Sequence, residues 1–376
     1  MELIVTIYIV MFFFGIYFLS LFILLYLKHR KELFFNPQAT SFPKVSLITA
    51  AFNEQDTISS TIEAVMSLDY PKDKLEHIVV NDGSTDKTAE AVRKLMKKYP
   101  NLKLINKPNS GKANSINVAI KQASGEIMGV VDADSYPTKS SLRKMIGWFQ
   151  DKQVAAVTSK VLVRNKNNFI EKFQAVDYIV IAWGRKILDF IGCVYVTNGP
   201  LSLYRKNLVI KAGGFDPKNL TEDIEITWHL LSQGYKTKMS YDADVYTTVP
   251  NKFKKWVWQR IRWNMGGLQT IYKYRNFAFK GKNLFGYFVL SYVSLSFFLA
   301  FIGFILFLRY FILKSIMYIK LAPYLLQGYN PFDYWNINLS ASLLFIMGAL
   351  FFSISLLYYK FSMHKSEFEK KSTINI

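Results

Sequence analysis

Between Val45 and Val131, short apolar runs alternate with stretches in which apolar residues recur at helical spacing. The runs predict strands at Val45–Ala51, His77–Asn81, Leu102–Asn106 and Glu126–Val131. The intervening periodicity predicts helices ending near Leu68, near Lys98 and, from Lys112, at Ala123. Strands and helices in alternation imply an α/β domain, a mostly parallel sheet flanked by helices, with ligands bound outside the carboxyl ends of the strands. Further along, Val154–Val157 reads as a strand, Phe169–Phe190 as a long amphipathic helix and Ile224–Leu231 as a shorter one. Three runs of another kind frame this pattern. Leu3–Leu27, Leu284–Leu308 and Trp335–Tyr359 carry no charge, and each is about 25 residues long, enough to cross a bilayer with some tilt.

The first run ends in Lys28-His29-Arg30-Lys31. In a secretory leader the basic residues come before a shorter apolar core, so this order predicts an uncleaved anchor. Basic clusters also precede the second run (Lys273, Arg275, Lys280, Lys282) and follow the third (Lys360, Lys365, Lys370, Lys371). By the positive-inside rule they put the middle of the chain and its tail in the cytoplasm of a multi-pass cell-membrane protein. Tyr310–Tyr329, apolar but broken by Lys314, Lys320 and Pro323, reads either as an interfacial segment or as a further crossing. The expected division is a membrane helix at 1–27, a catalytic domain at 42–250, an amphipathic interface helix at 251–282, a membrane region at 284–359 and a tail at 360–376. Composition agrees: 51% hydrophobic and 16% aromatic residues accompany a net charge of +20, which points to a membrane surface and away from nucleic acid. The single cysteine, Cys193, rules out an internal disulfide and cysteine-based zinc sites.

The chemistry starts at Asp132-Ala133-Asp134, where a strand ends in two carboxylates that can share one hard divalent ion. The competing reading is that they cap a following helix. Asp82, in Asn81-Asp82-Gly83-Ser84-Thr85-Asp86, is either a contact for a base or ribose or part of a turn capped by Asp86. There is no Gly-x-Gly-x-x-Gly and no phosphate-binding loop motif, which disfavours a dinucleotide fold and an ATPase. Glu222 and Asp223 open a helix, where acids suit the dipole and where one of them could serve as general base to a hydroxyl. At 100° per residue, Gln259, Arg262, Trp263 and Gly266 share one face of a helix. Phe253, Val257, Ile261, Leu268 and Ile271 fall roughly opposite. Arginine can neutralise a departing diphosphate and an indole can stack on a sugar ring.

Together, in order and between membrane segments, Asp82, Asp132-Ala-Asp134, Thr221-Glu-Asp223 and Gln259-Arg-x-Arg262-Trp263 resemble the motifs of membrane-bound processive family 2 glycosyltransferases, the cellulose, chitin, hyaluronan and poly-N-acetylglucosamine synthases. The resemblance implies a GT-A type nucleotide-sugar-binding domain inserted between transmembrane helices. It implies that Asn53, Glu54 and Asp82 contact the uridine of a UDP-sugar and that Lys112 lines the nucleotide pocket. Asp132 and Asp134 would bind the diphosphate through Mg²⁺ or Mn²⁺, and Asp223 would deprotonate the acceptor. Gln259, Arg262 and Trp263, with Arg260 of the same motif and Glu222 of the Thr-Glu-Asp motif, would bind substrate. Asn198-Gly199-Pro200-Leu201-Ser202 is closer to the hyaluronan synthase pattern, whereas Thr-Glu-Asp is that of the poly-N-acetylglucosamine and cellulose enzymes, so the sugar stays open between UDP-N-acetylglucosamine and UDP-glucose. Extension of a β-linked glycan is expected first, and transfer of one sugar to a lipid carrier second. A basic scaffold without activity is the reading from another class. Besides the growing glycan or lipid-linked acceptor and the bilayer, the small membrane part suggests a homo-oligomer or a small accessory membrane subunit as partner.

Overall fold

The computed structural model describes residues 2–280, 284–327 and 343–364. Eight strands form one sheet: β1 (Val45–Ala51), β2 (Leu75–Asp82), β3 (Leu102–Lys107), β4 (Ile127–Val130), β5 (Ser135–Pro137), β6 (Val154–Val163), β7 (Ser202–Arg205) and β8 (Lys236–Thr247). Their order is β3-β2-β1-β4-β7-β6-β8-β5. The first four strands are parallel, as the strand-helix alternation predicts, and β6 and β8 are also parallel. β7 runs antiparallel between β4 and β6, and β5 antiparallel along β8. The helices of this region are α2 (Ile58–Met66), α3 (Thr88–Met96), α4 (Lys112–Gln122), α5 (Ser141–Ile146), α6 (Phe169–Asp189), α7 (Lys206–Lys211), α8 (Glu222–Ser232) and α9 (Phe253–Tyr274); α1 (Glu2–His29) comes before them in the chain.

The sheet is covered on both faces, and the period of two along each strand decides which residue goes where. Leu47 and Val79 pack with Ile58, Ile62, Val92, Leu142 and Met145 on one side. Their neighbours Ile48, Ile78 and Val80 pack with Ile116, Ile120, Val209, Ile226 and Leu230 on the other. The end of the sheet opposite the strand termini is tied by a buried carboxylate. Glu76 accepts hydrogen bonds from Ser46 Oγ, from Ser124 N and Oγ, and from Lys103 Nζ at 2.7 Å. Burial opposes its charge, but Lys103 and the serine donors outweigh it and lower its pKa to about 2. Glu76→Gln is expected to cost about 2–4 kcal/mol, read as a drop in the urea midpoint. That loss should shrink as pH falls from 4.5 towards about 2, because over that range the unfolded chain's Glu76 takes up a proton while the native carboxylate is still ionised.

Two compact units divide the chain. One comprises Leu24–Leu290 with Tyr359–Ile376 and contains the sheet; the other comprises Met1–Ile23 and Ser291–Tyr358. In the second unit, α1 packs with α10 (Leu290–Leu326) and α11 (Leu343–Ser362) through aromatic rings. Phe12 meets Phe351 at 5.9 Å and Phe18 meets Tyr292 edge-on at 4.8 Å. Gly15 leaves room for the Phe351 ring, which a Cβ there would meet at 2.7 Å. Among the described residues, three helices, at Leu3–Glu32, Phe285–Tyr324 and Phe345–Ser362, are long and apolar enough to cross a membrane. The stretch from Tyr310 continues α10 without a break through Lys314, Lys320 and Pro323 as far as Leu326. Residues 281–283, 328–342 and 365–376, which include the start of the third apolar run and most of the tail, lie outside the described residues.

Candidate active site

Asp132 and Asp134 stand on the turn that leaves β4. Val131 N–H donates to Ile48 O at 2.9 Å, Ser135 N–H closes the turn onto Asp132 O, and the Thr61 hydroxyl donates to Ala133 O at 2.8 Å. The next element is not the helix that capping would require. It is β5, whose Ser135 pairs with Thr247 of β8, and the two carboxylates therefore cap nothing. They face a cavity of about 340 Å³ instead. Glu54, Lys112, Asp132, Asp134, Glu222, Asp223, Gln259, Arg262 and Trp263 all line it, brought from five separate parts of the chain.

Lys112, the first residue of α4, bridges the two acidic motifs, 2.6 Å from Asp132 and 2.8 Å from Glu222. Burial works against its charge, yet Asp132, Glu222 and Asp223 hold the ammonium well above the usual lysine range. Burial also opposes ionisation of Glu222, but Lys112 prevails and keeps it below the usual range. The other two acids go the opposite way. Asp134 is pushed up to about 7 by burial and by the charges of Asp132 and Glu54, and Asp223 to about 6 by burial and Glu222. Acids at a helix N-terminus need no explanation beyond the dipole, but here both side chains face the cavity.

Among the described residues no group of three or more His, Cys, Asp or Glu side chains is arranged to hold a metal. Two carboxylates at a strand end nevertheless suit a hard cation that completes its shell with phosphate oxygens and water. Burial first, and the charges of Asp132 and Glu54 second, disfavour ionisation of Asp134, and a bound cation would offset both.

Asp223 is held by its own helix start. Its Oδ1 accepts from Ile224 N–H at 2.9 Å, and its carbonyl accepts from the Thr227 hydroxyl at 2.6 Å. Thr227 is bonded in turn to Thr197, which ties α8 to the stretch leading into Asn198 and Gly199. Asn198 is consumed by structure, with its side chain bonded to Thr158 and Ser159 of β6. Gly199 lies so close to the motif that a Cβ there would come within 2.6 and 2.8 Å of the Asp132 carboxylate and 2.9 Å of Lys112 Nζ. The helix carrying Gln259, Arg262 and Trp263 is α9. It buries Gly266, Gly267, Thr270 and Tyr274 and exposes Phe253, Ile261, Met265, Leu268 and Tyr272. Its buried side locks onto α8 and the loop before it: Asn219 bonds Thr270 at 2.9 Å, Leu220 N–H bonds Gln269, and Lys273 joins Asp216 at 2.7 Å to Glu225 at 2.6 Å.

Three residues singled out in the sequence do not line this cavity. Arg260 turns to α6, pairing with Asp177 at 2.6 Å and lying over the Trp263 ring at 4.4 Å. Both Asp82 oxygens hold the loop before α4: one accepts from Ser110 N–H and Lys107, the other from Gly111 N–H at 2.9 Å, so that Asp82 sets the position from which Lys112 projects. Asn53, at a positive φ of 56°, knits its loop to the next one, accepting from Thr85 N–H at 2.9 Å. Conversely, Tyr178, Ile181, Ala182 and Arg185 of α6 form part of the wall. Their i, i+3, i+4, i+7 spacing was available in the sequence, where this stretch reads as an amphipathic helix, but periodicity alone does not say which stripe of a helix lines a cavity.

An α/β sheet with an acidic cleft outside the carboxyl ends of its parallel strands, entered by a Thr-Glu-Asp helix start, defines a GT-A-like glycosyltransferase fold. A solved structure of an archaeal mannosyltransferase from Pyrobaculum calidifontis, in complex with GDP-Man and Mn²⁺, shares it. The two match with a TM-score of 0.62 at 23% identity over 93% of this chain and 97% of that one. The chain belongs to glycosyltransferase family 2: the signature described as "Glycosyltransferase like family 2" matches residues 43–266. A probable glycosyltransferase, YdaM, of Bacillus subtilis is 33% identical over 70% of this chain, and a poly-beta-1,6-N-acetyl-D-glucosamine synthase of Staphylococcus aureus is 33% identical over 60% of it. The matched parts span 64% and 55% of those relatives' own lengths.

Proposed function

We propose that this chain is an inverting membrane glycosyltransferase that uses a UDP-sugar, UDP-N-acetylglucosamine or UDP-glucose, to extend a β-linked polysaccharide. The observation that carries the reading is the convergence of Lys112, Asp132, Asp134, Glu222, Asp223, Gln259, Arg262 and Trp263 on one cavity. The staphylococcal relative's name favours the N-acetylglucosamine donor. In this reading the Asp223 carboxylate takes the proton of the acceptor hydroxyl as that oxygen bonds the anomeric carbon. The bond from that carbon to the β-phosphate oxygen breaks, and its electron pair leaves with UDP. Lys112 and Arg262 offset the charge of the diphosphate, and the Trp263 indole offers a face to the acceptor sugar. A divalent ion, Mg²⁺ or Mn²⁺, held by Asp132 and Asp134 supplies further neutralisation of the leaving diphosphate when bound. Asn53, Glu54 and Asp82 shape the uridine side, Asp82 through the loop it holds. The domain faces the cytoplasm between membrane helices, with the exposed apolar face of α9 on the bilayer surface.

A second reading, transfer of a single sugar to a lipid carrier, is favoured by the presence of only three candidate spans among the described residues. The deciding experiment incubates the full chain in detergent micelles with labelled UDP-glucose, UDP-N-acetylglucosamine or UDP-glucuronate and sizes the product. A ladder from one of the first two donors is expected; a product one sugar long sinks the polymerase reading. UDP release that is unchanged in Asp134→Ala sinks the metal-dependent mechanism.

A further inference from the structure

The cavity holds a cation that the reading above does not use. Arg185 lines it from α6 and, unlike Lys112, makes no ion pair or hydrogen bond among the described residues. Its electrostatic neighbours are Tyr195 and the base Asp223, not the Asp132 and Asp134 pair. Burial holds its guanidinium below the usual arginine range, so these neighbours do not offset the desolvation of the charge. Along the same face of α6, Tyr178 lies about 10 Å away and meets the Trp263 ring at 6.3 Å. An acceptor lying on this stripe therefore meets aromatic rings at one end, the aliphatic Ile181 and Ala182 between, and a positive charge beside the base.

We propose that Arg185 is the recognition residue for the first acceptor, the molecule that primes the chain, and that this acceptor carries an anionic group, phosphate or carboxylate, near the hydroxyl that is glycosylated. The inference rests on the glycosyltransferase reading. A sugar hydroxyl would occupy guanidinium N–H groups but leave the charge uncompensated, whereas a carboxylate or phosphate takes two parallel hydrogen bonds and the charge together. The donor's diphosphate has Lys112 and Arg262, so the anion that Arg185 takes belongs to the acceptor.

The test compares octyl glucoside, octyl glucuronide and octyl glucosyl phosphate as acceptors for the full chain in micelles, with Arg185→Gln and Arg185→Lys beside the wild type. At least one anionic acceptor should exceed the neutral one about tenfold in kcat/KM, and which one does tells carboxylate from phosphate. Arg185→Gln should bring that ratio close to one, and Arg185→Lys should keep part of it. UDP affinity measured by calorimetry should stay within about twofold, which separates lost recognition from lost fold. Equal wild-type rates on neutral and anionic acceptors, or a proportional loss on all of them in Arg185→Gln, overturns the proposal while leaving the transferase standing. Absence of UDP release from every donor takes both down.

Discussion

Asp223→Asn will lower the turnover number by a factor of about 10²–10⁴ and leave UDP binding within about twofold of wild type. The substitution keeps size and the Oδ1 that accepts from Ile224 N–H, and removes only the capacity to take a proton. Product formation and calorimetric UDP affinity, measured on the same preparation, check the two halves. The wild-type pH profile adds a third reading. As the proposed base, Asp223 must be ionised to act, and burial, with Glu222 beside it, has raised its pKa to about 6. Activity should therefore be flat above that value and fall tenfold per unit below it, at divalent-ion concentrations that keep Asp134 ionised. A wild-type rate indifferent to pH between 5 and 7, or a loss of UDP binding in the variant, removes Asp223 from the role of base.

Gly199→Ala is expected to reduce kcat/KM for the donor by about two orders of magnitude with a stability loss of about 1–3 kcal/mol. The backbone at 199 is not in the left-handed region, in contrast to Gly111 at φ 89°, so alanine meets no torsional penalty. It meets the Asp132 carboxylate and Lys112 Nζ instead, all at under 3 Å. Those groups are fixed to each other at 2.6 Å, and Lys112 is fixed to Glu222 as well. A methyl inserted there has to displace the whole bridge. Thermal melting together with donor kinetics separates this outcome from simple unfolding, and wild-type kinetics in the variant would mean that the bridge is dispensable.

Much of the fold was legible because periodicity reports burial. β1, β2 and β3 and helices α4 and α6 fall within a few residues of where the apolar pattern puts them. β8 was equally legible and was missed: Thr237, Met239, Tyr241, Ala243, Val245 and Thr247 alternate and all face inward. The polar threonines at inward positions and the aspartates between them weaken the apolar alternation. β5 and β7 are three and four residues long, too short for any pattern, and exist because neighbouring strands offer hydrogen bonds. In the cavity, motif spacing located acids and bases but not their directions. Arg260 and Arg262 are two residues apart, hence about 200° apart on a helix; one faces Asp177, the other the cavity. Asp82 is a different case, since only the structure shows that its carboxylate is filled by the chain's own N–H groups.

The contact between Gly266 and Thr221 sets the terms on which acceptor selectivity can be redesigned. A Cβ at 266 would overlap the Thr221 side chain, so any larger residue moves Trp263 and Asp223 apart. The C-terminal half of α9, through Asn219, Gln269, Thr270 and Lys273, is a fixed mount. The half from Gln259 to Trp263 is the exchangeable head. A library confined to Gln259 and Trp263, with Arg262 kept for the diphosphate, explores which sugars are accepted while Asp223 stays in register, whereas one that reaches Gly266 mixes altered specificity with lost catalysis.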